Sequence, residues 1–123
     1  SAAKLIMAQR MVRKLCKRCK EEIKIDEEIL VRVGVAESEL KTFKAYHAKG
    51  CSECNNIGFS GRTGLFEVMP ITPEIERMII ANVSTPEITA QAVKEGMMTL
   101  RMAGVDKIRK GITSVDEVLA ETS

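Results

Sequence analysis

The placement of the cysteines constrains this chain more than any other feature. All four stand in two C-x-x-C pairs, Cys16-Lys-Arg-Cys19 and Cys51-Ser-Glu-Cys54, separated by residues 20 to 50. A C-x-x-C pair on a tight turn presents both sulfurs to one ion, and two pairs complete the tetrahedral set that zinc accepts from four thiolates. Such a site has no position left for water, so the zinc is expected to be structural and not hydrolytic. Four thiolates around a divalent cation carry a formal charge of about −2, which nearby cations and backbone N–H groups stabilise. Lys17, Arg18 and Lys20 sit at the first pair.

Other readings of these residues stand beside zinc. Two disulfides need an oxidising compartment, and nothing in the sequence points to secretion. A thioredoxin-like redox pair needs a C-x-x-C opening a helix after a strand, whereas the pattern before Cys16 reads as a helix. His47 can replace one cysteine as ligand, but four sulfurs already suffice, and a surface or packing histidine is the plainer reading. Residues 20 to 50 are too few and too polar to bury much by themselves, so the ion is expected to replace part of a missing core and staple an insert.

Composition narrows the function only by exclusion. The chain has 123 residues, with 19 Lys and Arg against 17 Asp and Glu, a net charge of +2 that is too small to imply nucleic acid or anionic membrane. The basic run from Lys4 to Lys20 precedes the first acidic residue, Glu21, yet lacks the interleaved aromatics of a nucleic-acid surface. The seven methionines are read as core filling and given no function. No apolar run reaches the roughly 18 residues that span a bilayer, and no leader pattern is present, so a soluble protein is expected. The chain opens at Ser1 in an amphipathic pattern, as a piece of a larger protein would, although removal of an initiator methionine would look the same.

The expected architecture is mainly α with a small zinc-binding module. From Ala3 to Leu15, the residues Leu5, Ala8, Met11, Val12 and Leu15 recur at the spacing of one helical face, which predicts an N-terminal helix. Asp26 and Gly34 bracket a short helix, the rival being a strand from Ile29 to Val35. An extended stretch follows from Thr42 to His47, and a strand from Leu65 to Met69. Beyond Pro70 all signals are helical. Thr72-Pro73 and Thr85-Pro86 each start a helix, Gly96 closes the second, and a third runs from Leu100 to Lys110 with Leu100, Ala103, Val105 and Ile108 inward. Ser114 and Glu117 form a capping box for the last. The divisions are residues 1–15, a helix; 16–69, the tetracysteine module with short strands; and 70–123, a helical subdomain.

Several stretches taken together carry a resemblance. They are Ala8-Gln9-Arg10-Met11-Val12-Arg13-Lys14-Leu15-Cys16; Gly50-Cys51-Ser52-Glu53-Cys54; Gly58-Phe59-Ser60-Gly61-Arg62-Thr63-Gly64-Leu65-Phe66-Glu67; Gly96-Met97-Met98-Thr99-Leu100-Arg101; and Gly111-Ile112-Thr113-Ser114-Val115-Asp116-Glu117-Val118. Nearly end to end, the chain resembles the C-terminal end of the bacterial secretion ATPase superfamily that powers type II secretion and type IV pilus assembly. Residues 1–15 then resemble the closing helix of the ATPase core. Glu67-Val68-Met69-Pro70-Ile71-Thr72 looks more like the pilus-assembly branch, and retraction ATPases as a rule lack the cysteine pairs. Met102-Ala103-Gly104 departs from the family's more polar Asp-Gly step.

The resemblance implies an ATP-driven hexameric motor at the cytoplasmic face of the inner membrane, using ATP and Mg2+ in the parent protein. No G-x-x-x-x-G-K-[ST] occurs in this chain, so it is not expected to hydrolyse ATP. Its implied role is to couple motion to neighbouring subunits and to a membrane platform protein, with no nucleic acid and no direct membrane insertion. Arg10 and Arg13 are read as solvated or salt-bridged, not as sites. The alternative function is a free-standing zinc-ribbon module that binds protein or nucleic acid. An isolated thiol oxidoreductase is a third.

Overall fold

Side-chain exposure alternates along Met11 to Arg13 and along Leu65 to Pro70, and this decides the form of the two longest elements. Val12 is 1% exposed beside Met11 at 42%, and Leu65 is 0% exposed beside Phe66 at 52%. That is the period of a strand, in which neighbours point to opposite faces. In a computed structural model describing residues 4 to 122, the elements in chain order are β1 (Leu5–Leu15), β2 (Glu21–Ile23), α1 (Glu27–Val33), β3 (Ala45–His47), β4 (Phe59–Pro70), α2 (Pro73–Ile80), α3 (Thr85–Lys94), α4 (Leu100–Arg109) and α5 (Val115–Thr122).

The N-terminal helix expected from the sequence is therefore a strand, and Ala3, its expected start, lies outside the described residues. β1 pairs antiparallel with β4, from Leu5 opposite Pro70 to Val12 opposite Thr63, with a bulge between Arg13 and Leu15. The reason is non-local. Val12 and Thr63, or Met7 and Val68, pair across the ladder, and β-branched residues fit that pleated surface better than a helix face. With 41% of residues helical and 24% in strands, the mainly α expectation holds only beyond Pro70.

A shorter antiparallel pair, β2 with β3, sets Glu21 opposite His47 and Ile23 opposite Ala45. Between these strands α1 forms as a helix, not the rival strand. Gly34 ends it at φ 111°, a left-handed conformation that glycine adopts without a Cβ penalty, and donates its N–H to Leu30 and Val31. Asp26 contributes its backbone carbonyl to this helix and makes no side-chain cap bond, unlike the expectation.

Residues 20 to 50 are not left to the metal alone. Leu30, Val33, Val35 and Ala45 form one buried cluster with Val105, Ile108, Val115 and Val118 of α4 and α5. The apolar face of α1 thus completes the core of the C-terminal helices. Arg101 ties the same elements together, donating from Nη1 to the Arg32 carbonyl at 2.7 Å and from Nε to Thr122 Oγ1 at 2.7 Å. At the crossing of α4 and α5, Gly104 lets Val118 lie directly against the helix backbone.

A second, separate cluster of Ile75, Ala92 and Met97 holds α2 and α3 together. Met97 is the buried methionine among the described residues; Met7, Met11, Met98 and Met102 are exposed, which corrects their reading as core filling. The start of α2 carries the cap its sequence announces, that of α3 carries it shifted by a residue, and that of α4 carries one the sequence reading did not name. Thr72 accepts the Ile75 N–H at 3.3 Å, Thr99 accepts that of Met102 at 3.1 Å, and Ser84 rather than Thr85 accepts that of Glu87 at 3.4 Å. No helix among the described residues is long and apolar enough to cross a membrane.

Candidate metal centre

The two cysteine turns leave the same end of the ribbon. Cys16 follows the last residue of β1, and its N–H bonds to the Gly58 carbonyl at 3.0 Å, while Leu15 N–H bonds to Ile112 at 2.8 Å. Lys20 N–H returns to the Cys16 carbonyl at 3.1 Å and closes the first turn. Cys51 opens the second, a 3-10 turn over Ser52–Cys54, and its carbonyl accepts the N–H of Asn56 at 2.8 Å. Gly58 is what lets this turn fold back tightly. A Cβ there would stand 2.5 Å from that of Ala48, and φ is 85°.

This folding brings the four sulfurs within 4.8 Å of one another, a cluster able to hold a metal ion. The Sγ separations are 3.8 Å for Cys16 to Cys51, 3.8 Å for Cys19 to Cys54 and 3.7 Å for Cys51 to Cys54. Sulfurs placed about 2.3 Å from a tetrahedral zinc stand about 3.8 Å apart, so the spacing fits that ion. It does not fit disulfides, whose sulfurs approach to about 2.05 Å, and all four cysteines are free. His47 lies outside the cluster, its Nε2 facing Glu21 Oε1 at 3.2 Å.

Backbone donors converge on the buried sulfurs. Gly50 N–H points at Cys19 Sγ at 3.3 Å, and the N–H groups of Cys51 and Gly58 point at Cys54 Sγ, each at 3.2 Å. Burial pushes the Cys19 thiol up to about 11. Burial also acts upward on Cys54, but the N–H bonds from Cys51 and Gly58 favour its thiolate and bring it down to about 6. A fixed thiolate held by N–H donors is what a cation site of this kind needs. The sequence led us to expect backbone N–H groups around the sulfurs without saying which; the glycines flanking the second pair were the available signal.

Two of the basic residues beside the first pair, Arg18 and Lys20, have separate partners. Arg18 meets Glu53 at 3.1 Å, joining one cysteine turn to the other. Lys20 reaches away to the Gly111 carbonyl at 2.8 Å, its ammonium 5.1 Å above the Tyr46 ring, and so fastens the turn to the loop before α5. Arg13 is salt-bridged to Glu117 at 2.7 Å and lies 4.1 Å over the Phe59 ring, whereas Arg10 is exposed and bonds the Gln9 carbonyl.

A profile of the type II/IV secretion system protein family matches residues 1–120 of this sequence. The chain belongs to that family. Within it, the chain is 43% identical over 118 residues to the type IV pilus assembly ATPase PilB of Pseudomonas aeruginosa, covering 96% of this chain and 21% of that protein. It is 40% identical over 117 residues to the PilB of Thermus thermophilus, covering 95% of this chain and 13% of the relative. The type II secretion system protein E of Pseudomonas aeruginosa is 36% identical over 117 residues, covering 95% and 23%. The chain thus spans 13–23% of the length of these relatives.

Proposed function

We propose that Cys16, Cys19, Cys51 and Cys54 hold one structural zinc ion, and that the chain is a non-catalytic, force-transmitting part of an ATPase that drives type IV pilus assembly. The sulfur spacing of 3.7 to 3.8 Å carries the metal reading. Zinc bound there cross-links two turns and supplies no reaction, because the four thiolates fill its coordination. The pilus reading is supported by the upper end of the identities, 43% and 40% for two pilus assembly relatives, although others run down to 32% and the type II secretion relatives stand at 36% and 32%.

In this reading ATP and Mg2+ act elsewhere in the parent protein. The ribbon of β1 and β4 carries the metal turns at one end, and the Arg13–Glu117 and Lys20–Gly111 bonds tie the ribbon and the first turn to α5 and the loop before it. Movement of the ribbon is thereby passed to helices that contact neighbouring subunits of a hexamer or the inner-membrane platform protein, on the cytoplasmic side.

Native mass spectrometry with zinc quantification tests the metal: one zinc per chain is expected, and a metal-free folded chain indifferent to chelators refutes it. Cys51→Ser with Cys54→Ser in the parent ATPase tests the coupling. Hexamers that still form, with pilus extension lost and ATP turnover altered, are expected. Unimpaired extension by a zinc-free variant refutes the role.

A further inference from the structure

The four sulfurs are unequal in a way that ligation alone does not require. Cys16, Cys19 and Cys54 are 5%, 9% and 5% exposed, whereas Cys51 is open in part to solvent. Two backbone N–H groups engage Cys54 and one engages Cys19, and Cys51 meets the Cys54 N–H of its own turn, so it is exposure that sets Cys51 apart. Cys51 has two sulfurs within reach, Cys54 at 3.7 Å and Cys16 at 3.8 Å.

We infer that Cys51 is a modification site, the sulfur at which peroxides and soft electrophiles meet the cluster and open it. The inference rests on the zinc reading above. Reactivity of a metal-held thiolate follows its access to the attacking reagent. The Cys51 thiolate attacks one oxygen of hydrogen peroxide; an S–O bond forms, the O–O bond breaks, and hydroxide leaves. Sulfur is oxidised to the sulfenic acid and peroxide is reduced, two electrons changing hands. A neighbouring thiolate, of Cys54 or Cys16, then attacks the sulfenic sulfur, forming S–S and expelling a second hydroxide. Two of the four thiolates are consumed, which would leave too few to hold a zinc ion.

The experiment uses the intact zinc-loaded protein, with its zinc content measured first. Under limiting N-ethylmaleimide, peptide mapping is expected to show the adduct on Cys51 about tenfold ahead of the other three cysteines. Under hydrogen peroxide, a chromogenic chelator is expected to record one zinc per chain, appearing together with a disulfide that includes Cys51. Cys51→His keeps a fourth ligand without the exposed sulfur, and should retain zinc while slowing peroxide-driven release about tenfold. First labelling at Cys16, Cys19 or Cys54, equal labelling of all four, or a Cys16–Cys19 disulfide with Cys51 intact overturns the inference while leaving the zinc reading standing. Protein that contains no zinc before any reagent is added refutes the zinc reading itself. The labelling order in the unsubstituted protein decides the matter even where Cys51→His does not fold.

Discussion

Glu117 holds Arg13 by three hydrogen bonds: Oε1 accepts the Arg13 backbone N–H at 2.8 Å, and Oε2 accepts Nη2 at 2.7 Å and Nε at 3.2 Å. The sequence placed Glu117 in a capping box with Ser114. Ser114 does accept the Glu117 N–H, at 3.2 Å, but the carboxylate turns outward to the ribbon instead. Glu117→Gln is expected to lower stability at neutral pH by about 1–2 kcal/mol, the low end reflecting the half-exposed guanidinium. Urea denaturation with metal saturation held constant measures it.

The same pair sets an acid dependence. The side-chain bond from Arg13 holds the Glu117 carboxyl below its ordinary 4.5, although burial opposes this. A carboxyl depressed in the folded state stabilises it fully above that ordinary value, and the contribution fades as pH falls through the folded value. The stability gap between the natural protein and Glu117→Gln should therefore be widest near neutrality and close in acid. A gap unchanged between pH 7 and pH 3 would contradict the assignment.

Gly104 faces Val118 at the crossing of α4 and α5. A Cβ added there would fall well inside contact distance of one Val118 methyl and 3.0 Å from the other. Helix propensity favours alanine by about 1 kcal/mol, yet the overlap costs about 1–3 kcal/mol, so Gly104→Ala should be net destabilising. Adding Val118→Ala should recover part of the loss, and a double-mutant cycle should show coupling between the sites.

Glu67 on β4 accepts the Leu100 N–H at 2.9 Å, so a strand residue caps the first turn of α4. Its charge also opposes the positive end of that helix. Glu67→Ala is expected to cost about 1 kcal/mol, and Glu67→Gln less, because the amide oxygen keeps the bond. Thermal melts of the two variants separate the hydrogen bond from the charge.

Metal removal should loosen the chain unevenly. Amide exchange is expected to quicken in both cysteine turns, in β2 and β3, and in α1, whose ends these elements hold. The α2–α3 pair, packed on its own cluster around Ile75, should keep its protection. Uniform acceleration across α2 and α3 would show that the two clusters open together.

The parts of this structure legible in the sequence are those written within a few neighbouring residues. The C-x-x-C turns, the Thr72-Pro73 start and the Gly34 stop each depend on local geometry, and each formed as read. β1 was illegible because its partner lies far along the chain, and because both its faces carry apolar residues. Leu5, Met7 and Met11 on the outer face blur the period of two, so that Leu5, Ala8, Met11, Val12 and Leu15 also fit a helix. Glu67 over Leu100, and Lys20 on Gly111, join positions whose adjacency only the fold creates. That the four cysteines would come together was readable, but the exposure that singles out Cys51 was not.

Because Leu30 and Val33 sit in one cluster with Val105, Ile108 and Val118, the stretch between the cysteine pairs is no portable cassette. Cutting it out would strip a wall from the interior of the last two helices, and grafting it elsewhere would leave α1 with a bare greasy side. Any shortened version has to bring a substitute for those two side chains and for Val35 and Ala45, so tolerance to deletion here is set by the far end of the chain.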